Sequence, residues 1–176
     1  MVDTMKRKIE EAFLDKSLGF PVLLTSVPMR KVRGEWVLDL PLNEFQQVVL
    51  WLLAHRSTAL TGKQVRFVRH WMQLTQREFA DLHDVSHACV SKWEAKEHQP
   101  TGMAKPSEIL LRLNILTALP AELWERLDGP NSEDDKPSSL RRLLEEVSHF
   151  ESRESTDQPV TVPEKYLSNE GRLSPG

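Results

Sequence analysis

Residues 74–100, LTQREFADLHDVSHACVSKWEAKEHQP, constrain the fold of this chain more than any other stretch. Thr75 is a helix N-cap residue, and Glu78 three positions on completes a capping box, so a helix is expected to begin at Gln76. Phe79, Leu82 and Val85 then carry apolar groups at helical spacing toward a shared core. Ser86 is a second N-cap, so another short helix follows almost at once. On that helix Val90 and Trp93 point inward, which leaves His87, Ala88, Ser91 and Lys92 facing out. Two short helices joined by a tight turn make a helix-turn-helix. The outer side of its second helix suits a major groove, where donors and acceptors on base edges identify the sequence.

The string formed by Leu74, Thr75, Gln76, Phe79, Ala80, Leu82, Val85, Ser86, Val90, Ser91, Lys92, Trp93 and Glu94 strongly resembles the XRE family of bacterial and phage regulators, which includes the lambdoid repressors. The resemblance runs from residue 62 to about residue 127. It implies a five-helix DNA-binding domain, in which residues 62–73, 106–119 and 121–127 supply the remaining helices. It also implies roles. Gln76 stands where the family binds a backbone phosphate, and His87, Ala88 and Lys92 match positions that touch base edges. Ser86 and Ser91 lie beside them, within reach of phosphate or base. Arg69 and Glu94 match an ion pair that ties the first helix to the third, and Trp93 is core.

Two departures bear on these expectations. Asp84 occupies the turn position that is usually glycine, and Asp tolerates the left-handed backbone better than most residues. After the Trp-Glu pair the family usually carries several cations for phosphate. Here the run is Ala95-Lys96-Glu97-His98-Gln99-Pro100, so Lys96 stands almost alone and Glu97 is expected to repel a DNA backbone. Fewer phosphate contacts imply weaker non-specific binding and a shallower salt dependence.

Charge sharpens the point. The chain carries 23 Lys and Arg against 26 Asp and Glu, a net −3. Residues 1–61 hold 8 cations against 7 carboxylates, residues 62–100 hold 6 against 5, and residues 101–176 hold 9 against 14. The acidity lies outside the reading head, but a surplus of one charge within it is thin for a DNA-binding surface. Cations elsewhere, or a dimer, are needed.

The flanking segments read as follows. Residues 4–16 suit a short helix, with Met5, Ile9, Ala12 and Phe13 at helical spacing. Residues 22–27 and 35–40 are β-prone runs joined by an Arg33-Gly34 turn, a hairpin with Arg30, Lys31 and Arg33 near its tip. Those cations either grip a flanking phosphate or enter a minor groove, or they are a solvated turn. Residues 42–54 form a strongly apolar helix expected to pack the hairpin onto the reading head. Residues 130–137 read as a linker. Residues 138–150 read as an amphipathic helix with a stripe of Leu140, Leu143, Leu144, Val147 and Phe150, either a dimer seam or a cover for the domain's own core. Residues 151–176 read as a disordered acidic tail. The expected architecture is thus mainly α: a small extension of helix, β-hairpin and packing helix over residues 1–60, the five-helix domain over 61–129, the helix at 138–150, and the tail.

The N-terminal part also resembles, loosely over residues 20–60, the domain that precedes an XRE domain in MqsA-type antitoxins. Such antitoxins hold zinc with paired cysteines. Residues 1–88 contain no cysteine here, so no structural zinc of that kind forms. The resemblance implies a toxin protein as partner, bound through residues 1–60.

Other chemistry finds little support. His83, His87 and Cys89 are close in sequence, but the two histidines flank the turn rather than share a face, so no metal is expected. Cys89 reads as a small packing residue, with no His and acid at catalytic spacing. His98 is open between a phosphate contact and solvation. The tryptophans at positions 36, 51, 71 and 124 sit among aliphatic residues and read as core. A single cysteine fits a reducing cytoplasm. No apolar run reaches the length of a membrane span, and the N-terminus lacks the apolar centre of a secretory signal. The expectation is a cytoplasmic, non-enzymatic regulator without cofactor. It binds double-stranded DNA as a homodimer on a palindromic operator, with half-sites about one helical turn apart.

Overall fold

The computed structural model describes residues 6–128 and 158–167. Among these residues the chain forms a small four-stranded sheet and six α-helices: β1 (Arg7–Asp15), β2 (Val22–Val32), β3 (Glu35–Leu38), α1 (Leu42–His55), α2 (Gly62–Trp71), α3 (Gln76–Leu82), α4 (His87–Glu94), α5 (Lys105–Ala118), α6 (Ala121–Asp128) and β4 (Val160–Val162).

The hairpin forms as expected, β2 pairing with β3 so that Lys31 faces Trp36. Its turn, Arg33-Gly34, has both residues at positive φ (49° and 92°), the geometry that matches the twist of two-residue hairpins. Strand β2 is longer than its β-prone run. Val22 and Leu24 are buried, then Val27 and Met29, so the inward phase shifts by one residue between them. The shift falls at Ser26, whose φ of 51° re-aims the strand and keeps both halves on the core. A strict period of two hides such a strand.

Two expectations outside the helical domain are corrected. Residues 7–15 are strand β1, antiparallel to β2 from Arg7↔Arg30 to Asp15↔Val22, and not a helix. The apparent stripe was coincidental: Ile9 is 62% exposed, and Phe13 and Asp15 turn inward two residues apart. The tail is also not uniformly disordered. Residues Val160–Val162 form β4, parallel to the N-terminal half of β2, while β3 holds the C-terminal half on the same edge. Val160 and Val162 are buried there, and a 3₁₀ turn follows at Glu164–Tyr166. The expected linker at 130–137, the amphipathic helix at 138–150 and the rest of the tail lie outside the described residues.

Helix α1 joins the two parts, as its wide apolar face implies. Phe45, Val48, Val49, Leu50, Trp51, Leu53 and Ala54 are buried, and the helix packs on both α5 and β4. One apolar cluster runs without a break from Val22 and Leu24 through α1 to Phe79, Val90 and Trp93. The Phe20 ring meets Phe67 edge-on at 5.5 Å, and Trp51 meets Trp124 likewise at 4.9 Å. Of the four tryptophans read as core, Trp36 departs: it is 37% exposed on the hairpin.

At the α1–α5 junction a charged pair is buried. The Arg112 guanidinium reaches the carbonyls of Leu53 and Ala54, each at 3.3 Å, that of Arg56, and that of Thr58 at 2.7 Å. Glu108 accepts from Arg112 at 2.7 Å and from the Leu60 amide at 2.9 Å. The arginine thereby donates to carbonyls at and just beyond the C-terminal end of α1, where helical partners run out; that of Leu53 also accepts from the Arg56 amide at 3.4 Å.

Candidate nucleic-acid interface

Helices α2, α3 and α4 each begin on a side-chain cap, and α2 and α3 end on matching turns. Thr61 and Gln64 make a capping box at the start of α2, Thr75 and Glu78 make another at α3, and the Ser86 hydroxyl caps α4. Helix α2 ends with the Leu74 amide on the Arg69 carbonyl (3.2 Å) and the Gln73 amide on that of His70 (3.0 Å), Gln73 being at φ 58°. Helix α3 ends identically, with Val85 on Ala80 (3.0 Å), Asp84 on Asp81 (3.3 Å) and Asp84 at φ 51°. Both ends are Schellman motifs, and Asp84 takes the left-handed turn that its place demands. Gly62 is required for a different reason: a Cβ there would lie 2.5 Å from the Trp93 carbonyl oxygen and 2.7 Å from the Glu97 amide, so α2 starts directly against the end of α4.

The inner side of α4 is pinned by charge as well as by Val90 and Trp93. Glu94, 2% exposed, accepts from Arg69 Nε at 2.6 Å and from its Nη2 at 3.1 Å. Gln76 Nε2 donates to the same carboxylate at 2.8 Å, and Arg66 Nε lies 3.5 Å away. Arg69 Nη1 meanwhile holds the Leu74 carbonyl at 2.9 Å. The Arg69–Glu94 pair is therefore present, two-pronged, and part of a network that joins α2, α3 and α4. Burial alone would raise the Glu94 carboxyl, but the hydrogen bonds from Arg69 and Gln76 and the charges of Arg69 and Arg66 outweigh it and hold it below the usual Glu value.

The outer side of α4 is open among the described residues. His87, Ala88, Ser91, Lys92 and Lys96 are all exposed. Lys92 and Lys96 make no ion pair within the described residues. Two other expected contact residues are committed elsewhere. Gln76 is half-buried and spends one amide hydrogen on Glu94, which leaves the second, since an amide nitrogen carries two. Ser86 spends its hydroxyl on the cap, accepting from the Cys89 amide at 3.3 Å and donating to Cys89 Sγ at 3.3 Å. Glu97 presents less repulsion than its sequence position implies, because Lys63 (2.7 Å) and Arg66 (3.2 Å) both pair with it. Arg77, which the sequence pattern does not single out, is exposed on the first turn of α3 beside Gln76 and makes no ion pair among the described residues. Leu82 was read as core and is 46% exposed, facing an open groove of about 470 Å³ with Trp71, Met72, Leu74 and Asn114.

His83 lies behind the turn, buried. Its Nδ1 meets the Phe79 carbonyl at 2.7 Å, and its Nε2 meets the Asn114 amide nitrogen at 3.3 Å. The hydrogen-bond pattern assigns a neutral ring with the proton on Nδ1, which occupies both nitrogens. Burial lowers its pKa, and the bond to the Phe79 carbonyl opposes this only in part. The unfolded chain therefore binds this proton more readily than the folded one, so stability falls as pH drops below about 6.5, the ordinary His value, and stops falling beneath the folded value. Urea midpoints are expected to drop between pH 7.5 and pH 5.5, and His83→Gln is expected to flatten that drop. An unchanged slope in the variant would assign the acid sensitivity to other groups.

No family model matches the chain, and neither does any curated protein or any solved structure.

Proposed function

We propose that the protein is a sequence-specific DNA-binding transcriptional regulator, a repressor that occupies a palindromic operator as a dimer. Its own promoter is the first operator to test. The reading rests on one observation: α4 is held rigidly on its inner side by Glu94, Val90 and Trp93, while His87, Ala88, Ser91 and Lys92 on its outer side have no protein covering them among the described residues. A short rod exposed along one side and fixed along the other fits the demands of major-groove readout. Lys92 and His87 are the residues assigned to base edges, with Ser91 and Ala88 beside them. Gln76, Arg77 and Lys96 are assigned to phosphate, and Ser86 to setting the start of the helix. Occupancy of the operator would act by excluding polymerase.

Selection from a pool of randomised duplexes tests the reading. The wild type is expected to enrich a motif with two half-sites about one helical turn apart. Lys92→Ala is expected to lose discrimination worth about 1–3 kcal/mol at one base pair of each half-site. Its thermal stability should stay within about 0.5 kcal/mol, as for an exposed residue outside any network. An identical motif from the variant would remove Lys92 from base contact.

A second reading, an antitoxin that binds a toxin through residues 1–60 and represses its own operon through α4, draws on a separate observation. Strand β1 pairs only with β2 among the described residues, and Ile9 and Leu14 (48% exposed) stand on it. A free sheet edge with apolar groups offers a surface for strand addition. It predicts a protein that co-purifies with the wild type and is lost on Ile9→Lys.

A further inference from the structure

The β2–β3 hairpin tip gathers charge in a way that a sheet ordinarily avoids. Lys31 donates its backbone amide to the Lys6 carbonyl at 2.9 Å, which sets Lys6 opposite Lys31, and the next pair along is Arg7↔Arg30. Like charges directly opposite on neighbouring strands are destabilising. The Arg7–Arg30 pair is relieved by Asp39, at 3.1 Å and 3.6 Å from the two. The Lys6–Lys31 pair has no carboxylate among the described residues. Lys6, Lys8 and Lys31 share one side, since Lys6 and Lys8 are two residues apart on a strand and Lys6 is Lys31's cross-strand neighbour. Lys8 Nζ, which pairs with the Glu10 carboxylate across two residues of its own strand, lies 4.9 Å and Lys31 Nζ 6.0 Å from the centre of the exposed Trp36 ring. A phosphate at Lys8 therefore competes with an exposed ion pair, while Lys6 and Lys31 have no carboxylate among the described residues. Residues 6–10 and 29–39 together carry six cations (Lys6, Arg7, Lys8, Arg30, Lys31 and Arg33) against three carboxylates (Glu10, Glu35 and Asp39), a surplus of three in a chain whose net charge is −3.

We propose that this tip is a second nucleic-acid contact, distinct from α4, in which Lys6, Lys8 and Lys31 hold backbone phosphates. The inference rests on the DNA-binding reading and extends it. The reading head has a surplus of a single positive charge, too little for the phosphate contacts of a DNA-binding surface, and the tip supplies further cations from exposed positions, Lys6, Lys8 and Lys31. A row of ammonium groups on adjacent strands matches a repeating, sequence-independent array of phosphates. An acidic protein segment would satisfy the same charges, and the experiment separates the two.

The full chain is titrated with a 30-base-pair duplex of random sequence at several salt concentrations. The variant carrying Lys6→Gln, Lys8→Gln and Lys31→Gln together is compared with one carrying Lys→Arg at the same three positions. The glutamine variant is expected to bind at least about tenfold more weakly at low salt, and its slope of log K against log salt should be shallower by about two to three, close to one per phosphate lost. The arginine variant should keep the wild-type slope. If the wild type binds the duplex and the glutamine variant has the same slope, the tip is not a phosphate contact and α4 stands alone. If that unchanged slope comes with loss of an acidic protein that co-purifies with the wild type, the surface belongs to a protein ligand. If the wild type binds no duplex at all, the DNA-binding reading itself fails and the tip with it.

Discussion

Replacing Arg112 with alanine is expected to cost about 3–5 kcal/mol, a large part of the roughly 5–15 kcal/mol by which a domain is stable. The size follows from what the guanidinium does. It is buried with Glu108, and it is the donor for the carbonyls of Leu53, Ala54, Arg56 and Thr58, where α1 ends and the chain turns toward α2. Alanine removes the side-chain donor from those carbonyls, of which only that of Leu53 keeps a backbone partner among the described residues, the Arg56 amide, and it leaves the buried Glu108 carboxylate without its counter-charge, accepting from the Leu60 amide. Lysine would restore the charge but not the planar fork, so Arg112→Lys should recover only part of the loss. Replacing both members by Leu and Met should recover more than either single change, because a buried pair is costly to break and far less costly to remove. Urea denaturation followed by tryptophan fluorescence reads these differences directly. A wild-type midpoint for Arg112→Ala would show that the α1–α5 junction does not depend on this side chain.

The second large effect concerns Glu94. Glu94→Ala is expected to cost about 3–5 kcal/mol, because Arg69 is then left buried without its counter-charge while still tied to the Leu74 carbonyl. Gln76 loses its acceptor in the same step, and α2, α3 and α4 lose the group that joins them. Glu94→Gln keeps an acceptor and should cost less. The carboxyl also adds an acid-side dependence. Its folded pKa lies below its unfolded one, so its stabilisation is complete above the ordinary Glu value and is lost as pH falls through the lowered folded value. Acid unfolding of the wild type should therefore proceed in two stages, the His83 loss starting near neutrality and the Glu94 loss well below it. In Glu94→Ala the lower stage should shrink to what the Glu78 and Glu97 carboxyls, also held low by their hydrogen bonds, still contribute. At temperatures where the variant still folds, α4 lacks its pin, and DNA affinity should fall although no residue of the outer side has changed. Equal DNA affinity in folded Glu94→Ala would mean that the network serves stability alone.

The helix-turn-helix was legible because its signals are local. Thr75, Glu78 and Ser86 act on amides three residues away, and Asp84 needs only its own backbone to take the left-handed turn. The inward positions Phe79, Val90 and Trp93 follow from helical spacing. What the sequence concealed depends on partners distant along the chain. Strand β1 is an edge with few inward residues, so it shows no alternation, and only its pairing with β2 makes it a strand. Ser26 shifts the phase of β2 midway and breaks the pattern that marks a strand. Val160–Val162 is too short to show a period and is held by β2 from far along the sequence. Arg112 resembles any solvated arginine on an amphipathic helix until the end of α1 is placed beside it. Gln76 and Ser86 show the same limit at the site: residue type and position named them for DNA, while their hydrogen bonds commit them first to Glu94 and to the cap of α4.

The central claim is that the outer side of α4 enters a duplex groove. Backbone amide shifts recorded by NMR, on the full chain titrated with the duplex recovered from the randomised pool, test it most directly. The largest changes are expected at His87, Ala88, Ser91 and Lys92, with smaller ones at Gln76, Arg77 and Lys96. If the amides from Ser86 to Lys92 keep their free-state positions at saturation, while those of the hairpin or of the groove around Leu82 move, α4 does not read DNA.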